Sequence, residues 1–158
     1  TMNHVHHYPI YITTGCRNRG PKERTDVSYG GDITISNVIM QDVDSLAGII
    51  VTGMPGHPLR NISLNNIRIH YRGGGTADLA KRQYREQGTN YPEPKFAKAT
   101  PAYGLFARHV DGIDVNHVTF HTMKTDYRPA VMFDDVKNAS IIDLKAPDVE
   151  GVEKIVGY

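Results

Sequence analysis

The sequence predicts an all-β fold, a right-handed parallel β-helix of about four coils with one helical insertion. Three observations lead to this prediction: apolar and polar residues alternate with a period of two, a short pattern recurs, and no amphipathic helix separates most of its copies. Units built from short strands cannot bury their apolar side alone, so successive coils must stack on one another. We expect residues 1–158 to form a single β-helix segment.

The recurring pattern reads apolar, polar, Asn or His, apolar. It occurs at residues 2–5, 35–38, 64–67 and 115–118, and more loosely at 141–144. In most copies alternation changes phase at the Asn or His, which predicts two short strands joined by a bend. The pattern therefore predicts two ladders: a buried row of Ile35, Leu64 and Val115, and a corner row of Asn37, Asn66 and His117.

A more continuously apolar segment follows several copies, at residues 8–12, 47–51, 102–107 and 128–133. Such runs are typical of strands that are buried on both faces. Each coil is therefore expected to contain about three strands.

Two excursions interrupt the strand pattern. Residues 73–101 contain a stretch of good helix formers, and we expect a helix from the N-cap Thr76 to Gly88. This insertion either forms one wall of a groove or only covers the stack. The second excursion, residues 17–31, carries a basic run of Arg17, Arg19, Lys22 and Arg24.

Composition excludes several classes of protein. The 158 residues are 39% hydrophobic and 22% charged, which is ordinary for a globular chain, and the net charge is +1. This charge gives no reason to expect a nucleic acid or membrane partner. Cys16 is the only cysteine, so the chain cannot form an internal disulfide or a cysteine-based zinc site. We expect no metal and no cofactor.

The order of these segments resembles the C-terminal part of the polygalacturonases, the family 28 glycoside hydrolases with a pectin-lyase-like solenoid. Residues 8–12 (Tyr-Pro-Ile-Tyr-Ile), the basic run, residues 32–38 and residues 59–67 follow one another as in that family. Residues 101–112, preceded by residues 91–94 (Tyr-Pro-Glu-Pro) and followed by residues 126–130, are similar to its bacterial branch. The resemblance covers almost the whole chain.

The resemblance implies inverting hydrolysis of galacturonate-containing polysaccharide by a secreted or periplasmic enzyme. Such hydrolysis needs two carboxyl groups roughly 6.5 to 9.5 Å apart. The Asn-Thr-Asp, Gly-His-Gly and Arg-Ile-Lys motifs of the family are absent. The Asp134-Asp135 pair follows the segments that match the family's tail, and we interpret it as a turn. We therefore expect the main catalytic residues to lie in upstream coils of a longer protein, and this chain alone to be inactive.

Binding of pectin, polygalacturonate or rhamnogalacturonan is the partner class that the resemblance implies. Tyr8 matches the place of a substrate-contacting tyrosine, although it can equally be an aromatic residue packed at a corner. The basic residues are candidates for binding galacturonate carboxylates, or they form a solvated turn. The candidate substrate-binding residues are Tyr8, Arg17, Arg19, Lys22 and Arg24.

Histidines suggest a metal site as a less favoured alternative. His4 and His6 share one strand face in a regular alternation and His7 takes the other, so a zinc site would need further ligands. His117 is expected to have a structural role in the corner row, and His109 to lie on the surface in a turn.

Two other classes of protein remain open. A non-catalytic β-helix, such as a carbohydrate-binding, surface or fibre protein, would show the same ladders. A pectate lyase relative would need clustered carboxylates for calcium, and none stands out. For any of these, unpaired strand edges at the N-terminal coil predict self-association.

Overall fold

The computed structural model describes residues 1–16, 29–46, 48–86, 88 and 99–157. Within these residues nearly all regular structure is β-strand, which confirms the all-β prediction. The strands are β1 (Met2–Asn3), β2 (Tyr11–Thr13), β3 (Gly31–Val43), β4 (Ile49–Thr52), β5 (Leu59–Gly73), β6 (Leu105–Lys124), β7 (Val131–Lys145) and β8 (Ile155–Val156), and the helix α1 (Ala77–Ala80) lies between β5 and β6.

The strands form a curled sheet in which the named strands pair in parallel. The order runs β1-β3-β5-β6-β4-β2, and β7 pairs with both β6 and β8. β6 is central because residues 105–108 pair with β4 and residues 110–124 pair with β5. We call β2, β4, the first residues of β6 and β7, and β8 the short-strand strip.

The long strands bend at residues in the left-handed backbone conformation. This conformation crowds the Cβ atom, and Asn, Asp and His adopt it more readily than other non-glycine residues. β6 bends in this way at His109, Gly112 and His117, with φ angles of 51°, 88° and 53°. The described non-glycine residues with positive φ are His4, His7, Asp32, Asn37, Asp42, Asn61, Asn66, His109, His117, Asp135, Asn138 and Asp143.

The predicted buried row is confirmed. Ile35 pairs with Leu64, Leu64 with Val115, and Val115 with Ile141, so equivalent side chains lie above one another through the sheet. Leu64 and Val115 are essentially inaccessible to solvent, and Ile35 and Ile141 pack against them at the two ends. These stacked aliphatic rows form the core.

The corner row is confirmed as well, with one correction to the repeat. Asn37, Asn66 and His117 have positive φ, and the Asn66 Nδ2 donates a hydrogen bond of 2.7 Å to the Asn37 Oδ1. Met2, which the repeat placed with Ile35, pairs instead with Met40. The reason is that residues 40–43 repeat the pattern with Asp at the bend, so the pattern alone does not say which corner is meant.

A buried ion pair joins the two ends of the insertion to the sheet. The Arg128 and Asp126 side chains are both 1% exposed, and their charged groups lie 2.7 Å apart. Arg128 also donates to the carbonyl oxygens of Ser45 and Thr100, and the Gly75 amide donates to Asp126. A Cβ atom at Gly75 would lie 2.3 Å from the Arg128 Nε, so this position requires glycine.

The predicted helix is much shorter than expected. It covers only Ala77–Ala80, and Thr76 precedes it without a side-chain capping bond. So short a helix gains little from its own hydrogen bonds. Downstream residues instead make contacts with β6, which hold them in a non-helical path. No helix in the described ranges has the length and apolar content needed to cross a membrane.

Candidate ligand-binding site

Side chains of the short-strand strip alternate between the core and the opposite face. Leu105 and Ala107 belong to the core, so Phe106 and Arg108 point away from it. The parallel register repeats this arrangement from strand to strand. The residues aligned on the outer face are Tyr11, Ile50, Phe106 and Met132 in one row and Thr13, Thr52, Arg108 and Asp134 in the next.

Part of the insertion crosses this outer face. The Tyr84 ring packs on the Phe106 ring with centroids 5.0 Å apart, and the Tyr84 carbonyl oxygen accepts a 2.7 Å hydrogen bond from Arg108. Further along, the Gly88 carbonyl accepts from the Cys16 amide. We call residues 82–86 the strap. Its contacts place the strap over the outer face of the strip.

A pocket of about 300 Å³ opens between the strap and the strip. It combines apolar walls with charged groups, which is the usual composition of a site that binds and orients a polar ligand. The pocket is lined by Arg82, Gln83, Tyr84, Pro101, Phe106, Arg108, Met132 and Asp134.

Arg108 is the central charged group of the pocket. Its Nη2 lies 2.6 Å from the Glu86 Oε1, and its Nε lies 3.0 Å from the Asp134 Oδ2. The side chain is 21% exposed, so its guanidinium is only partly hydrated. A guanidinium in this position can bind carboxylates through charge-assisted hydrogen bonds.

His109 follows Arg108 and occupies the corner where β6 first bends. Its Nδ1 lies 2.6 Å from the Asp135 Oδ2, and its Nε2 lies 3.1 Å from the Glu86 Oε1. Burial lowers the pKa of His109, but the hydrogen bonds to Asp135 and Glu86 outweigh burial and raise this pKa above its ordinary value. The two carboxylates therefore favour protonation of the His109 ring.

The expected surface position of His109 is wrong. Its side chain is 11% exposed, because the strap and the Asp135 corner enclose the ring. Asp134 and Asp135 are not an isolated turn either; they lie within β7, which bends at Asp135. The hydrogen bond from His109 lowers the pKa of Asp135.

Tyr8 is half-buried beside Tyr11 of β2. Its ring stacks on Tyr11 with centroids 5.5 Å apart and planes inclined by 29°. Burial, with a smaller contribution from Tyr11, raises the pKa of Tyr8 to about 12, so its phenol stays neutral at ordinary pH. The other candidates, Arg17, Arg19, Lys22 and Arg24, lie outside the described residues.

The N-terminal histidines pair with aspartates. His4 pairs with Asp42, and the His6 Nδ1 lies 3.6 Å from Asp44. Regular alternation fails here, because His4 and His7 both have positive φ. Within the described ranges no group of three or more His, Cys, Asp or Glu side chains has a metal-binding arrangement.

Sequence reasoning missed Glu86 and Arg108, two of the charged residues that meet at the site. Arg108 belongs to an alternating strand, so its outward direction was predictable, and the Arg-His pair after an apolar run was a usable signal. Glu86 gave no such signal, because its position depends on the path of the insertion.

Comparison with known proteins gives no relative from which a function could be transferred. No family model, curated protein or solved structure matches this chain.

Proposed function

We propose that the chain is a right-handed parallel β-helix segment of the polygalacturonase type, and that its outer face binds galacturonate-containing polysaccharide. The stacked parallel register and the aligned left-handed corners support this architecture. On this proposal the parent protein acts on pectin, polygalacturonate or rhamnogalacturonan outside the cytoplasm.

The observation that carries the proposed function is the combination of Arg108 with the partly buried Tyr84 ring at a pocket of about 300 Å³, where Tyr84 lies over the buried Phe106 ring. Each galacturonate unit presents one carboxylate and a sugar ring with apolar patches. Guanidinium groups bind the carboxylate, and aromatic faces pack against the sugar. Arg82 gives the pocket a second guanidinium, and Tyr11, which stacks on Tyr8, adds an aromatic ring in the same outer row as Phe106.

The three carboxylates around Arg108 and His109 support binding and not acid catalysis. A glycosidase needs one carboxylic acid whose pKa is raised so that it can donate a proton. Here Glu86 and Asp134 form ion pairs with Arg108, and the pKa of Asp135 is lowered. We therefore propose that the catalytic residues of the enzyme lie outside this chain.

The test is a binding titration with trigalacturonate, with galactotriose as the neutral control. We expect the wild-type chain to bind the acidic trimer and Arg108→Gln to weaken binding about tenfold, as expected for loss of one charge-assisted bond. Lys145→Gln, a surface change remote from the pocket, should bind normally. Equal affinity for the neutral and acidic trimers, or an unaffected Arg108→Gln variant, would refute the proposal.

A non-catalytic binding or surface protein is the second candidate, favoured by the ion pairing of the pocket carboxylates. Release of reducing ends from polygalacturonate, measured with a longer protein that includes upstream coils, distinguishes the enzyme from the non-catalytic protein. Release there supports the enzyme; binding without release supports the non-catalytic protein. The 158-residue chain alone should release none.

A further inference from the structure

The Glu86 carboxylate bridges the strap to the Arg108 and His109 side chains of β6. One oxygen, Oε1, lies 2.6 Å from the Arg108 Nη2 and 3.1 Å from the His109 Nε2. Glu86 itself is 40% exposed, whereas the two groups that bind it are 21% and 11% exposed. The Arg108 and His109 side chains are therefore the enclosed part of this contact and the carboxylate is the accessible part.

Arg108 and His109 are held in place without Glu86. Arg108 donates to the Tyr84 carbonyl and pairs with Asp134, and the His109 ring is fixed by the 2.6 Å contact with Asp135. Because ionised carboxylates only accept hydrogen bonds, His109 can bond both Asp135 and Glu86 only when both ring nitrogens carry protons. In that state the Nε2 proton is directed toward the position of the Glu86 oxygen.

We infer that Arg108 and His109 form a carboxylate-binding site that Glu86 occupies as an internal ligand, and that an acidic ligand binds there by displacing it. The identity of the polymer in this inference rests on the proposed function. The site itself is defined only by the carboxylate group that it binds. A galacturonate unit and a small free organic acid would present the same group. Glu86 therefore acts as an autoinhibitory contact at the pocket.

The charges around His109 fix the direction of the pH dependence. Arg108 faces it from β6, Asp135 and Asp134 lie on β7 with Lys137 close to Asp135, and Glu86 faces it from the strap. Gly53, which directly follows β4, lies next to the His109 carbonyl oxygen and has no charged side chain. Loss of the Nε2 proton on raising the pH removes one of the two donors, so carboxylate affinity should fall as His109 titrates.

Glu86→Gln is the direct test, since it removes the internal carboxylate while keeping the size of the side chain. The matched control is Glu153→Gln, which makes the same change of charge at an exposed residue of the C-terminal segment. Binding of trigalacturonate and, separately, acetate would be followed by NMR titration of the backbone amides of residues 84–86 and 107–110. Each titration would be run at pH 5.5 and pH 8.5.

We expect Glu86→Gln to bind carboxylate about tenfold tighter than the wild type at pH 5.5, with the gain reduced at pH 8.5. The Glu153→Gln variant should behave as the wild type. Tighter binding of acetate without binding of trigalacturonate would support the site and count against the polysaccharide.

Equal affinities of wild type and Glu86→Gln for trigalacturonate would overturn the internal-ligand inference and leave the proposed function standing. Absence of binding of both probes to a folded Glu86→Gln protein would overturn both. Amide hydrogen exchange at residues 84–86 gives a readout without ligand. The inference requires that Glu86 holds the strap against β6, so exchange that is no faster in Glu86→Gln than in the wild type would contradict it.

Discussion

Single polar residues at the corners allow long strands to change direction. Asn66 shows two contributions at once: it adopts a φ of 49°, and its amide hydrogen-bonds Asn37 on the neighbouring strand. The left-handed backbone conformation disfavours most side chains, whereas glycine tolerates it. The two contributions can therefore be separated by substitution.

We expect Asn66→Ala to lower the free energy of unfolding by about 1–3 kcal/mol, since alanine is strained in the left-handed conformation and cannot bond Asn37. Asn66→Gly relieves the strain and loses only the hydrogen bond, so it should cost less. Urea unfolding measures both. An alanine variant as stable as the glycine variant would show that backbone strain is unimportant at this corner.

His109 makes stability depend on pH in a predictable direction. Its pKa in the folded chain lies above the ordinary value of about 6.5. Its stabilising contribution is therefore complete below that ordinary value, where both folded and unfolded forms bind the proton, and is lost as the pH rises through the folded-state pKa. We expect the stability difference between wild type and His109→Gln to shrink on going from pH 5.5 to pH 8.5. A constant stability difference across this range would contradict a raised pKa of His109 in the folded chain.

The insertion is the element on which sequence and structure differ most. Period-two alternation predicted the buried row of Ile35, Leu64 and Val115, because a strand in a stack repeats its own orientation at each level. Local propensity failed in the insertion, where a predicted helix to Gly88 ends at Ala80. The path after Ala80 depends on tertiary contacts of Tyr84 and Glu86 with β6, which no local pattern records. The fold was therefore predictable in large part, and the pocket was not.

The ends of the insertion depend on the buried Arg128–Asp126 pair. Removing one member leaves an unpaired buried charge, so we expect Arg128→Met to lower the free energy of unfolding by about 3–5 kcal/mol. Lys145→Met breaks the exposed pair with Asp143, 3.3 Å apart, and should cost no more than about 1 kcal/mol. Urea unfolding of both variants makes the comparison. Similar losses would mean that the buried pair adds nothing beyond a surface contact.

At the scale of the whole molecule, the described part of the sheet has an open edge along β3. Among the described residues β1 pairs with this edge only at Met40 and Gln41, so the β3 backbone groups before Met40 face outward. Ile33 and Ile35, which continue the buried rows, are only partly covered. A parallel strand added here would extend both the hydrogen-bond ladder and the apolar rows.

This edge predicts self-association that increases with protein concentration. Ile35→Lys places a charge on the end of the buried row and should shift the sedimentation-velocity distribution toward monomer, because burial of an unpaired lysine is unfavourable. Thr34→Lys, on the exposed side of the same strand, adds the same charge without touching the row and should still associate. A wild-type chain that sediments as a monomer at every concentration would refute an associating edge. Equal loss of association in both variants would instead place the contact on the outer face of β3, because only Ile35 lies at the end of the buried row.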